Sequence, residues 1–159
     1  VLAPAPRVDQ QKAMEIARSI SEELGVTGVM AVEMFQTAEG ELLINELAMR
    51  PHNSGHFTID ASVTSQFEQH LRAVLDLPLG LTDMTSDFAV MVNLLGVESN
   101  TDFVENFQAT MHRFPEAKIH TYGKQPRMGR KMGHVTVAGD DLETVKSRAL
   151  LAAAVISGS

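Results

Sequence analysis

Apolar residues at Ala13, Ile16, Ala17, Ile20 and Leu24 recur at the spacing of one helical face, and Gly25 closes the pattern. Asp9 suits the N-cap of this helix, and Pro4 and Pro6 make residues 1–8 an extended connector. The period then changes. Two nearly continuous apolar runs, Gly28-Val29-Met30-Ala31-Val32-Glu33-Met34-Phe35 and Glu41-Leu42-Leu43-Ile44-Asn45-Glu46-Leu47-Ala48, flank Gln36-Thr37-Ala38-Glu39-Gly40, which predicts a β-hairpin of buried strands. Residues 49–56 carry Pro51, Asn53, Ser54 and Gly55 and read as a loop. Ser65-Gln66-Phe67-Glu68 has capping-box form and predicts a helix with Phe67, Leu71, Val74 and Leu75 inward, ended by Leu77-Pro78-Leu79-Gly80.

The polar stretch Thr82-Asp83-Met84-Thr85-Ser86-Asp87 marks a boundary, dividing the chain into 1–84 and 85–159. Beyond it, Phe88–Leu95 reads as a buried strand and 101–111 as a short helix. Ala117–Tyr122 and His134–Ala138 read as strands around a Gly-, Arg- and Lys-rich loop. Asp140 or Asp141 caps a last helix through Val155, with Leu142, Val145, Ala149 and Ala152 at helical spacing. The order αββα then βαββα predicts an α+β fold with mainly antiparallel sheets. No internal repeat or low-complexity segment interrupts it.

Glu33 and Glu46 stand out because each lies within an apolar strand. A turn centred on Glu39-Gly40 places Ala38 opposite Glu41, Phe35 opposite Ile44 and Glu33 opposite Glu46, whereas a three-residue turn breaks that register. Like charges directly opposed, with Cβ atoms about 5 Å apart, are destabilising and call for a shared proton or a cation. Oxygen ligands with Asn45 adjacent suit a hard ion such as Mg²⁺, which takes further ligands from substrate phosphates. The alternative is a half-exposed sheet with one Glu in solvent.

The 159 residues, 44% of them apolar, suffice for one domain or two small ones. A formal charge of −7 argues against non-specific nucleic-acid binding and against an acidic membrane surface. With no cysteine there is no disulfide scaffold, thiolate metal site or thiol nucleophile, which fits the cytoplasm. No apolar run approaches the ~20 residues of a membrane-spanning helix. The chain opens without Met on a Pro-rich connector, so it is expected to be a piece of a longer protein. The nine methionines read as core fillers.

Arg50, His52, Asn53, Ser54 and His56 crowd the loop leaving the Glu46 strand, a place where binding groups concentrate. The spacing of His52 and His56 fits a zinc pair only on a helix, and Pro51 and Gly55 oppose one. A second candidate is the loop Gly123–Lys131, with Lys124, Arg127, Arg130 and Lys131. In an acidic chain that excess suits a bound anion, although a solvated charge run reads the same way. Only Tyr122 offers an aromatic ring for stacking, which disfavours nucleic acid.

The runs Val32–Phe35, Ile44–His56 and Val63–Ala73 closely resemble the ATPase subunit of phosphoribosylaminoimidazole carboxylase, or 5-(carboxyamino)imidazole ribonucleotide synthase. This is an ATP-grasp ligase family of purine biosynthesis. Ala3-Pro4-Ala5-Pro6 and Gly129-Arg130-Lys131-Met132-Gly133-His134 resemble the same family in the same order. Met49 departs from it, standing where the family more often has Pro.

The resemblance implies that 1–84 is the C-terminal part of an ATP-grasp domain and 85–159 a small domain like the hybrid motif of biotin-carboxylase relatives. It implies that Glu33 and Glu46 bind Mg²⁺ bridging ATP phosphates, with Asn45 and Glu46 in the nucleotide site. Arg50, His52 and Asn53 fall at the bicarbonate or carboxyphosphate position, and Lys124, Arg130 and Lys131 at the phosphate of aminoimidazole ribonucleotide. A cytoplasmic homodimer is expected. The lobe that grips adenine would precede residue 1, so the chain alone is expected to be inactive and to self-associate through an exposed apolar face. Biotin carboxylase or the formate-dependent glycinamide ribonucleotide transformylase would share Glu33, Asn45 and Glu46 but not His52–His56. An inert dimerisation fragment is the non-enzyme alternative.

Overall fold

The computed structural model describes residues 10–96, 103–125 and 127–158. The connector 1–8, the Asp9 cap and the first two positions of the 101–111 helix lie outside these residues. The fold is α+β with antiparallel strand pairing throughout the described sheets. Described residues fall into two compact units. One runs up to Ile59 and includes Val63–Asp83; the other starts at Met84 and includes Asp60–Ser62. Among the described residues no helix is long and apolar enough to cross a membrane.

The first unit holds α1 (Gln10–Glu23), β1 (Ala31–Gln36), β2 (Leu42–Ala48), a single 3-10 turn (Asn53–Gly55) and α3 (Gln66–Val74); α2 (Thr58–Ala61) ends in the second. Helix α1 half-buries Ala13, Ile16, Ala17 and Ile20, while Leu24 is exposed. It stops at Gly25, where the amides of Gly25 and Val26 bond to Glu22 and Ser21 carbonyls. The two-residue turn expected in the hairpin is instead a three-residue one. The Thr37 N–H donates to Glu41 O at 2.9 Å, Gly40 N–H donates to Thr37 O at 3.0 Å, and Gly40 takes φ 91, which only glycine adopts without strain. Phe35 therefore pairs with Leu43 and Met34 with Ile44. A β-bulge then inserts Asn45 as an extra residue and brings Glu33 opposite Glu46.

Two expectations for this unit fail. The strands are not buried: Phe35, Leu43, Ile44 and Leu47 are exposed. Helix α3 turns its polar side inward. Gln66 is buried and Gln69 and His70 half-buried, while Phe67, Leu71, Val74 and Leu75 face out. The inward groups hold the backbone of neighbouring segments. Val29 N–H donates to His70 Nδ1 at 3.1 Å, and Gln69 bonds both the N–H and the C=O of Gly80, at 2.9 and 2.7 Å. Inward backbone groups must be paired, and these side chains do it; the apolar stripe has no cover in the described first unit. Ser65 caps α3 by accepting from Glu68 N–H at 3.2 Å, while the Glu68 carboxylate turns to Arg72. The helix ends at Val74, ahead of the Leu77–Gly80 stop, through Asp76 at φ 54.

The second unit has a conventional core. Strands β3 (Phe88–Leu95), β5 (Lys131–Gly139) and β4 (Lys118–Thr121) form a sheet in the order β3-β5-β4, packed by α4 (Phe103–Arg113) and α5 (Leu142–Ser157). Leu94, Phe114, Val135, Ala152, Ala153 and Ile156 make one buried cluster, and Val90, Val137, Val145 and Ala149 another. Asp141 caps α5 by accepting from Thr144 N–H at 2.9 Å, but Leu142 lies outside the buried stripe. Arg148 on α5 grips the Glu116 carboxylate and stacks 5.2 Å over the Phe114 ring. That bond holds the Glu116 carboxyl below the ordinary glutamate range. Most methionines are not core: Met91 and Met132 are buried, but Met14, Met49, Met84, Met111 and Met128 are exposed.

Candidate active site

The bulge is what assembles the acidic site. In a regular ladder Asn45 and Glu46 would point to opposite faces; the extra residue lets both reach Glu33. Asn45 Nδ2 donates to Glu33 Oε2 at 3.3 Å, and His52 Nε2 lies 3.1 Å from Glu33 Oε1. One ligand atom each from Glu33, Glu46 and His52 lies within 4.8 Å of the others. Glu33 keeps 42% of its side chain in contact with solvent and His52 13%, so the acid is open to a ligand while the ring is held.

His52 is held from three sides. Its Nδ1 accepts from the Ser54 N–H at 3.4 Å and sits 2.9 Å from Ser54 Oγ. A neutral ring accepting at Nδ1 carries its proton on Nε2, where it can only donate, and Glu33 is the acceptor. Its backbone is clamped by Gln66: His52 N–H donates to Gln66 Oε1 at 2.9 Å and Gln66 Nε2 donates to His52 O at 2.7 Å. The same Nε2 lies 2.8 Å from His56 Nδ1, and Gln66 N–H donates to Thr58 Oγ1 at 2.9 Å. Gln66 therefore organises the loop. It escaped the sequence reading because the capping-box pattern assigns its position no task.

Arg50 is exposed and donates to Pro51 O at 3.0 Å; Asn53 is half-buried at the start of the 3-10 turn. These residues and the Glu33–Glu46 pair all belong to the first unit. The basic residues belong to the second. Lys124 Nζ sits 4.9 Å over the Tyr122 ring, Arg130 Nη1 donates to Gln125 O at 3.2 Å, and Lys131 starts β5; all three are exposed. Behind them Tyr122 Oη meets His134 Nδ1 at 2.8 Å, a contact no motif announced.

Family models match the chain in two consecutive pieces, the ATP-grasp domain over residues 1–67 and the phosphoribosylaminoimidazole carboxylase C-terminal domain over 89–148. N5-carboxyaminoimidazole ribonucleotide synthase of Mycobacterium tuberculosis is 50% identical over 158 residues, covering 96% of this chain and 37% of the relative. Over nearly its whole length the chain is similar to this synthase family.

Solved members share its fold. The Thermotoga maritima synthetase superposes with a TM-score of 0.81 at 44% identity, over 96% of this chain and 44% of that one. The Aspergillus clavatus synthase, solved with ADP and 5-aminoimidazole ribonucleotide, gives 0.82 at 34% identity, over 96% and 42%. The chain thus spans well under half the length of these synthases.

Proposed function

We propose that the chain supplies the metal-binding strands and the ribonucleotide-phosphate loop of an ATP-dependent ligase that carboxylates 5-aminoimidazole ribonucleotide. In that reaction a bicarbonate oxygen attacks the ATP γ-phosphorus, releasing ADP and forming carboxyphosphate. The substrate amine then takes the carboxyl group, losing a proton as phosphate leaves. Both steps place negative charge on oxygens, so positioned cations and donors serve better than a protein nucleophile.

The observation that carries the reading is the convergence of Glu33, Glu46, Asn45 and His52 at one bulge. Its donors fit Mg²⁺: two facing carboxylates, each oxygen of Glu33 retaining a lone pair beyond the bond it accepts. Glu33 and Glu46 would hold the ion, which when bound offsets charge on the ATP phosphates. Asn45 and His52 keep Glu33 aimed, one donor on each oxygen. Arg50, with its planar fork, and Asn53 fall to the bicarbonate-derived group. In the second unit Lys124, Arg130 and Lys131 take the ribonucleotide phosphate. Similarity to the synthase solved with ADP and the ribonucleotide supports both substrates. A cytoplasmic homodimer belongs to the same reading.

Glu33→Gln and Glu46→Gln in the full-length enzyme each remove one charge from the ion site while relieving like-charge repulsion. Both variants are expected to fold, Glu33→Gln giving up one of the two bonds that its carboxylate accepts, and to lose Mg²⁺-dependent ATP turnover. Undiminished turnover in both would remove the metal assignment.

A further inference from the structure

The second unit contains a polar chain that neither the acidic site nor the anion loop uses directly. Tyr122, the first residue beyond β4, is tied to β5 twice: its N–H donates to Met132 O at 2.9 Å and its hydroxyl meets His134 Nδ1 at 2.8 Å. His134, 1% exposed, stands directly opposite His120 in the β4–β5 ladder, and the rings stack with centroids 4.7 Å apart at 19°. His120 Nε2 in turn meets Asp60 Oδ2 at 2.8 Å. Gly133 locks the two strands, since a Cβ there would fall 2.2 Å from His120 O.

Asp60, His120 and His134 also place one ligand atom each within 4.8 Å, the proximity of a metal site. The ring geometry opposes that use. A metal lies in the plane of each imidazole that binds it, and nearly parallel stacked rings share no such point. His120 Nε2 already faces Asp60, and His134 Nδ1 faces the tyrosine. What the chain does instead is fix the Tyr122 ring, and 4.9 Å above that ring sits the Lys124 ammonium. The Asp60–His120 and His134–Tyr122 contacts, joined by the ring stack, restrain these side chains, and a lysine tethered over an aromatic face surrenders rotamer freedom before a ligand arrives.

We propose that the relay Asp60–His120–His134–Tyr122 positions Lys124, on the loop between β4 and β5, for a phosphate monoester. Tyr122 and His134 act as positioning residues. The proposal rests on the reading of that loop as the ribonucleotide-phosphate site. Tyr122→Phe separates the ring from the hydroxyl: the platform under Lys124 stays and the bond to His134 goes. In the full-length enzyme the KM for 5-aminoimidazole ribonucleotide is expected to rise about three- to tenfold, the worth of one hydrogen bond, with kcat and the ATP KM changing less than about twofold. His134→Asn returns a polar atom near the Nδ1 position and is expected to recover part of the loss seen in His134→Leu. Because both variants act on one bond, Tyr122→Phe combined with His134→Leu should be little worse than the poorer single variant.

Lys131→Ala is the control for the site itself. If it leaves the ribonucleotide KM unchanged, the phosphate loop is misassigned and the relay falls with it. If Lys131→Ala raises that KM but Tyr122→Phe does not, or lowers every kinetic constant alike, the positioning role alone is overturned. Additive effects in the double variant would overturn it as well. Tyr122→Phe keeps the apolar body of the side chain, so the test stands even if the buried His134 variants fail to fold.

Discussion

Replacing Gln66 by Glu exchanges one NH₂ group for oxygen and tests how the His52 loop is held. The amide orientation is not ambiguous: His52 N–H can only donate and His52 C=O can only accept, so Oε1 faces the first at 2.9 Å and Nε2 the second at 2.7 Å. In Gln66→Glu the bond from His52 N–H survives. The bond to His52 O becomes an oxygen–oxygen contact, and the donor toward His56 Nδ1, 2.8 Å away, is lost. Two net bonds at about 1 kcal/mol each, with a further ~1 kcal/mol for a half-buried carbonyl left bare, give a loss of about 2–4 kcal/mol.

The sign of its pH dependence follows. A carboxyl facing a carbonyl is favoured protonated, so the variant's deficit should be largest near neutrality and shrink as acid restores an O–H donor. Urea unfolding of parent and variant, at neutral and mildly acid pH, measures both quantities. Hydrogen exchange at the His52 and Ser54 amides reports whether the loop has loosened; on the proposed reading, ATP turnover of the full-length enzyme carrying the variant falls with it, because His52 Nε2 lies 3.1 Å from Glu33. A variant within about 0.5 kcal/mol of the parent at neutral pH, with His52 still protected, would refute the clamp.

Two further outcomes concern stability alone. Asp76 ends α3 in the left-handed region at φ 54, where glycine is at home, so Asp76→Gly should stabilise by about 1 kcal/mol in the same urea assay; a loss would mean its carboxylate does uncounted work. Glu116, held below its ordinary value of 4.5 by Arg148, contributes stability that is fully present above that value and disappears as pH falls through the lowered one. The stability gap between parent and Glu116→Gln should therefore stay constant from neutral pH down to about 4.5 and close below it, whereas a gap that widens in acid would contradict the pairing.

The Glu33–Glu46 pairing was legible in the sequence through two errors that cancel. A two-residue turn predicts the pair directly. The protein uses a three-residue turn, which shifts every pair from Gln36–Leu42 to Met34–Ile44 by one position, and then Asn45 bulges out and shifts the register back. The bulge could not be read from composition, since Asn45 sits in the strand like any neighbour; only the need to bring two carboxylates together implied it. The element order was readable for a simpler reason. Period and punctuation are local, and the second unit, whose cores close on themselves, also obeyed the expected burial at Val90, Val145, Ala149 and Ala152.

Burial in the first unit did not follow the pattern, and the cause is physical. A hydrophobic stripe says which face would leave water if a partner were present, not that the described residues supply one, so Leu71, Val74, Phe35 and Ile44 remain exposed. The inward positions of α3 are instead dictated by backbone groups that need partners: the amide of Val29, both polar groups of Gly80 and both of His52. Such demands come from segments up to 41 residues away and leave no local period. Gln66 and His134 belong to this class, and that is why both lay inside motifs already noticed yet carried no assigned role. A side chain that binds substrate shows itself by its chemistry. One that holds another side chain in place shows itself only when its distant partner is known: Gln66 stands behind His52, and His134 behind Tyr122.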